Sequence, residues 1–324
     1  MKSLRDRKVL VTGAAGFIGA HIVRAALDRG AEVHAVVRPA SWLGRIEEVL
    51  PRISLHRADM NDAAALKAAV AAARPEIVFN SAMVAGHPSE GSEREAMLRV
   101  SFLGTMNLLE ASWAGGAERF IQLGSSLEYG PSAEPLREQD PPEPPSFRGA
   151  AKAAATLLCR QFARERSWSL AVLRLFSVYG PWEKATRFIP SAIRAALTGA
   201  ELPLTPPGIR RDFIFVEDAV EGCLLAAGAE IPPGEVINVG TGEEHANEEV
   251  VALVERATGR TIRIRAGGHP VRLSDPEHAA ADIRRARERL GWEPRHSLLD
   301  GVEKTIAWLR RNGLDRQTQG GGST

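Results

Sequence analysis

At 324 residues with 44% hydrophobic side chains, the chain is long enough for one large domain or two lobes sharing a core. Its 41 basic and 40 acidic side chains nearly cancel, which excludes a global field that would recruit nucleic acid or an anionic membrane surface; an anionic substrate needs a local arginine cluster. Two cysteines, Cys159 and Cys223, provide no disulfide framework and fit a reducing, cytoplasmic compartment, and no run of about eighteen apolar residues supports a membrane span.

The predicted elements begin with a basic stretch, Lys2 to Lys8, ahead of an apolar run over 9–20. That run carries three glycines at special spacing, which argues against a signal peptide. Short β-branched runs at 8–12, 32–37, 53–57, 77–80, 120–123 and 170–175 alternate with helical stretches at 17–29, 62–73, 93–114 and 149–166. Six strands with crossovers predict a doubly wound parallel sheet. Beyond about residue 175 the rhythm changes to proline-punctuated loops and shorter elements, expected as a smaller lobe. Helices are expected near 190–198, 247–258, 282–291 and 297–313, a strand and helix around 212–229, and a strand near 235–239 that returns to the first domain. The expected division is 1–175 for the nucleotide-binding domain with that contribution from about 212–240, then 176–316 for the lobe, and a disordered glycine-rich tail over 317–324. The histidines show no H-x-x-x-H pattern, and no metal site is expected.

Gly13, Gly16 and Gly19 form G-x-x-G-x-x-G directly after the first strand and at the opening of the first helix. That placement lets backbone approach a pyrophosphate and aims helix N–H groups at its charge. The second strand ends at Val37–Arg38, with no acidic residue to grip an adenosine ribose. Arg38, assisted by Ser41, instead offers a planar cation for a 2′-phosphate, favouring NADP(H) with NAD(H) as the alternative. Asp59 and Met60 follow the third strand, where they are positioned to bond to and pack on adenine.

The motifs TGAAGFIG at 12–19, RAD at 57–59, LRLFSVYGPW at 173–182, RRDFIFVEDAVEG at 210–222, INVGTG at 237–242 and LGWEP at 290–294 make the chain resemble the extended short-chain dehydrogenase/reductases, which act on nucleotide-activated sugars. The likeness spans nearly the whole chain. It implies a Rossmann-type sheet with a smaller C-terminal substrate-binding lobe, a homodimer, and a nucleotide-diphosphate sugar as partner. It also implies Phe17, Ile18, Ser81 and Ala82 beside the cofactor, Ser125 and Lys152 as catalytic residues, and Ser126, Tyr129, Ser177, Arg187, Arg211 and Arg272 on the substrate side.

The family's tyrosine, four residues before the lysine, is missing. Arg148 stands there, and the chain's tyrosines are Tyr129 and Tyr179. Residues four apart share a helical face, so Arg148 should project into the slot of the phenol. An arginine is a poor proton shuttle but stabilises an alkoxide. Three readings follow: Ser125, Glu128, Lys152 or water delivers the proton beside Arg148; a tyrosine reaches the site from elsewhere; or the chain binds cofactor without turnover. Ser126 and Leu127 stand where sugar dehydration needs carboxylates, which disfavours that reaction. The expected activity is NADPH-dependent reduction of a nucleotide-linked keto sugar, with 4-epimerisation as the alternative.

Overall fold

The strand-forming runs assemble into one parallel sheet in a computed structural model that describes residues 3–84, 91–268, 275 and 277–314. Its first half runs β1 (Lys8–Thr12), α1 (Phe17–Asp28), β2 (Glu32–Val37), β3 (Ser54–Arg57), α2 (Ala63–Ala73), β4 (Ile77–Asn80), α3 (Gly91–Leu98), α4 (Gly104–Ala114), β5 (Arg119–Ser125), α5 (Phe147–Arg166) and β6 (Ser169–Leu175). The second half adds β7 (Ser177–Tyr179), α6 (Phe188–Thr198), β8 (Glu201–Leu204), β9 (Arg210–Arg211), β10 (Phe213–Phe215), α7 (Val216–Gly228), β11 (Glu235–Val239), β12 (His245–Ala246), α8 (Asn247–Thr258), β13 (Arg263–Ala266), α9 (Arg284–Leu290) and α10 (Leu298–Asn312). The sheet order is β11-β6-β5-β4-β1-β2-β3, a Rossmann arrangement in which β11 returns from the C-terminal half to extend the far edge.

Strands such as β1 and β4 read as unbroken apolar runs because helices cover both faces of the sheet. On one face Ile22, Val23 and Ala26 of α1 pack with Val220 and Cys223 of α7. On the other, Leu66, Val70, Leu108, Leu109, Phe162 and Trp168 form a second core. Both cysteines are buried and free.

The helix expected without interruption over 93–114 is broken. A wider π-helical turn over Arg99–Leu103 separates α3 from α4. Gly104, just after that turn, lies so close to Met60 that a Cβ there would sit 2.7 Å from the methionine Cβ. In the C-terminal half, β7 pairs with β10, β9 with β12 and β8 with β13 as small ribbons around the helices. Ser297 caps α10 as its sequence position suggests, its hydroxyl accepting from the Asp300 N–H at 3.2 Å.

Candidate functional site

The strand order reverses between β1 and β4, the point in such sheets where a ligand crevice is expected at the carboxyl ends of the strands. Gly13 follows β1 with φ at +63°, and a Cβ on it would lie 2.9 Å from the backbone of Ala82 after β4. Only glycine lets the two strand ends approach this closely. The Ser81 hydroxyl fastens them by donating to the Thr12 carbonyl at 2.6 Å. Gly16 caps α1 without any side chain, and the first turn, Phe17–Ile18–Gly19, carries no acidic residue. The helix N–H groups and the positive end of its dipole are thereby left for an anion, which fits the diphosphate of a dinucleotide.

The other expected cofactor positions follow neighbouring strands. Arg38 is exposed one residue past β2, and its carbonyl accepts from the Ser41 N–H at 3.0 Å. Asp59 lies two residues past β3, where its carboxylate accepts from the backbone and side-chain amides of Asn61 at 2.8 and 2.9 Å, while Met60 is buried beside it.

The expected catalytic residues lie on the end of β5, the turn after it and the first turns of α5. The Lys152 ammonium is buried and donates to the Leu123 carbonyl at 2.8 Å, and burial pushes its pKa down to about 8. One turn earlier on the same helix, Arg148 donates from Nη2 to Met83 Sδ at 3.5 Å. Burial first, and the charge of Arg187 second, lower its pKa to about 10, so it stays cationic at neutral pH. Ser125 ends β5, and its hydroxyl accepts from the Leu127 N–H at 3.2 Å; Ser126 opens the short 3₁₀ turn that follows.

Two of the expected site residues are engaged within the protein. Glu128 is completely buried, with one carboxylate oxygen taken by the Ser125 N–H and the other by Arg174 Nε, each at 2.8 Å. Tyr129 is turned away as well. Its phenol donates to Asn238 Oδ1 at 2.7 Å, its ring carries the Arg174 guanidinium at 4.3 Å, and burial pushes its pKa up to about 12. The other tyrosine is equally committed: Tyr179 donates to the Leu298 carbonyl at 3.1 Å, and burial raises its pKa.

On the substrate side, Ser177 begins β7, Arg187 precedes α6 and pairs with Glu183 at 3.4 Å, and Arg211 forms an ion pair with Asp275 at 2.5 Å. Arg272 lies outside the described residues.

Sequence reasoning missed three features. Arg45 reaches from the loop after β2 to donate to the Trp182 carbonyl at 3.0 Å and to Ala15, within the glycine loop, at 3.4 Å. Asn80 ties the centre of the sheet together, accepting from Thr12 at 2.6 Å and donating to Gln122 at 2.8 Å and Thr105 at 3.2 Å. Glu183 is buried, and burial lifts its pKa to about 7; Oε2 finds no hydrogen-bond partner among the described residues. The advance signal for Asn80 was a polar residue ending an otherwise apolar strand; Arg45 and Glu183 lie in loops and carried none.

A family model described as the NAD dependent epimerase/dehydratase family matches residues 9–240. The chain is 30% identical over 340 residues to the dTDP-glucose 4,6-dehydratase of Neisseria meningitidis serogroup B, with 94% of each covered. It is 30% identical to the UDP-glucose 4-epimerase of Mycolicibacterium smegmatis, covering 94% of this chain and 98% of that protein. Among solved structures, MoeE5 in complex with UDP-glucuronic acid and NAD superposes with a TM-score of 0.84 at 33% identity, over 94% of this chain and 99% of that one.

Proposed function

Because this chain belongs to the NAD dependent epimerase/dehydratase family, we propose that it reduces a keto group on a nucleotide-activated sugar with a nicotinamide dinucleotide. The observation that carries this reading is the pair of cations, Arg148 and Lys152, one helical turn apart where no phenol is within reach, both tyrosines being sealed elsewhere. The bound dinucleotide supplies the hydride. Arg148 then stabilises the negative charge that develops on the sugar oxygen. Lys152 Nζ holds a proton whose pKa near 8 suits donation at neutral pH, and Ser125 Oγ relays it. Epimerisation asks more of the site, since a sugar hydroxyl must first lose its proton to a base, and Arg148 is a poor one.

The test is to supply nucleotide-linked keto sugars with NADPH or NADH. Stoichiometric loss of the reduced cofactor with formation of the alcohol supports reduction; interconversion of sugar isomers without net cofactor consumption overturns it. The second reading, a 4-epimerase, is favoured by the 30% identity to the mycobacterial UDP-glucose 4-epimerase. Tight binding without either reaction marks a cofactor-binding homologue.

The cofactor we favour is NADP(H), because Arg38 is exposed just past β2 with no carboxylate at that strand end. MoeE5 carries NAD, which keeps NAD(H) as the alternative. Calorimetric titration distinguishes them, and Arg38→Asp should weaken NADP(H) by about 2 kcal/mol or more by exchanging attraction for repulsion. Equal affinities in the unaltered protein remove the assignment. In this reading the sugar's diphosphate meets Arg187 and Arg211, and the segment after residue 175 forms the sugar side of the crevice.

A further inference from the structure

The carboxylate buried among the expected catalytic residues has a use of its own. Glu128 touches two things at once: the backbone of Ser125 through one oxygen, and the Arg174 guanidinium on β6 through the other. Lys152 holds the same short stretch of chain, since its ammonium bonds the Leu123 carbonyl two residues before the Ser125 N–H. Groups at i and i+2 of an extended strand lie on the same side, so the buried carboxylate and the buried ammonium grip neighbouring points of one strand end. We propose that Glu128 is a positioning residue that fixes the backbone of Ser125 and supplies the negative charge that keeps Lys152 an ammonium ion.

The rest of the cluster serves to hold that carboxylate still. Arg174 spans from Glu128 to the face of the Tyr129 ring. The Tyr129 hydroxyl goes on to Asn238 of β11, whose side chain donates to the Leu136 carbonyl at 2.8 Å and whose backbone N–H donates to Glu138 at 2.9 Å. The ends of three adjacent strands are thus tied by one buried chain of polar contacts. The charged and titratable groups acting on Lys152 are Glu128, which favours its charge, Arg148 from the same helix, which opposes it, and Cys159 two turns further along that helix. Among these Glu128 carries the full negative charge, because burial raises the Cys159 thiol pKa and keeps it protonated. Arg148 stands in the slot expected for a tyrosine, and Glu128 acts on Lys152 in the opposite sense to that extra cation.

The inference rests on the reading above only in taking Ser125 and Lys152 as the reacting groups, and its test does not depend on turnover. The whole chain, isotopically labelled at lysine, is titrated by NMR, with Lys152→Arg identifying the Lys152 signal. Glu128→Gln keeps the size and one accepting oxygen but removes the charge. Its Lys152 midpoint should fall by about one pH unit or more, the effect of losing one nearby opposite charge. Coincident titrations in the two proteins overturn the proposal. Should Arg174 left without its anion prevent folding, Glu128→Gln combined with Arg174→Met removes both buried charges and should show a smaller displacement in the same downward direction, since loss of the more distant Arg174 cation partly offsets loss of the anion. With an active substrate in hand, Glu128→Gln should lower kcat and displace its pH profile to lower pH with KM little changed, whereas a purely structural role would leave the profile in place. A failed search for reduction alongside a displaced Lys152 titration would sink the proposed reaction and leave this inference standing.

Discussion

Arg148 gives the site its unusual character, because it puts a fixed cation where proton transfer is expected of a neutral group. If it stabilises a developing alkoxide, Arg148→Ala should lower kcat by about 10²- to 10³-fold with cofactor affinity little altered, as seen on removing one such donor. Full activity in a steady-state assay would reduce it to a packing residue. Glu183 makes a second prediction, about stability. Its folded pKa of about 7 lies above the ordinary 4.5, so between those values the native chain binds a proton that the unfolded chain has released. Stability is therefore lost as pH rises through that window. Glu183→Met should raise the melting temperature, little at pH 4 and most at pH 8, by up to about 3 kcal/mol in free energy; an equal gain at both pH values would show that the carboxyl is not the cause. At this scale the sequence was only partly legible. GSSLEYG and Lys152 singled out a loop and a helix that the fold brings together, but the direction of the Glu128 carboxylate depends on Arg174, 46 residues further along. Such a pairing has no local signature.

Among the elements, the alternation of short apolar runs and alanine-rich helices revealed the strands of the parallel sheet, including the returning β11; the inner strands β1 and β4 are covered on both faces and read as apolar runs, whereas the edge strand β3 is half-exposed and shows mainly by its place in the alternation. The break between α3 and α4 was not legible, because no proline or paired glycine announces it and the cause is tertiary. Gly104 packs against Met60, so Gly104→Val should force the helix off the sheet edge and cost roughly 1–3 kcal/mol, the usual range for overpacking. Urea denaturation measures this directly; an unchanged midpoint would mean that the helix shifts at no cost. The same contact carries the disturbance towards Met60 and the expected adenine position, so weaker cofactor binding should accompany it.

For the molecule as a whole, the outward apolar side chains are unevenly placed. Leu98, Leu103, Met106 and Trp113 project from α3, the π-helical turn and α4, and Phe147 and Leu157 from α5; among the described residues only Ile264 is a large exposed hydrophobic elsewhere. Such a concentration fits a surface covered by a second copy, and a homodimer through these two helical segments is the expected assembly. Light scattering should give about twice the 35.0 kDa chain mass, and Leu103→Glu with Leu157→Glu should return it to the monomer value. A monomer before substitution ends that expectation. No helix among the described residues is long and apolar enough to cross a membrane.

The loop from Trp42 to Glu48 gives this architecture a temporal consequence. Arg45 holds the glycine turn through Ala15 and the strand-end loop through Trp182, Arg24 holds Arg45 in place through its carbonyl, and His21 donates from Nε2 to Pro181 at 2.9 Å. The glycine turn expected to hold the dinucleotide and the loop after β7 are therefore bolted to each other. A ligand seated there has to leave lengthwise along the crevice or wait for the bolt to break. Slow exchange would then be a property of the scaffold rather than of the contacts to the ligand, and in a reductase that spends one dinucleotide per turnover the departure of the used cofactor would set the pace.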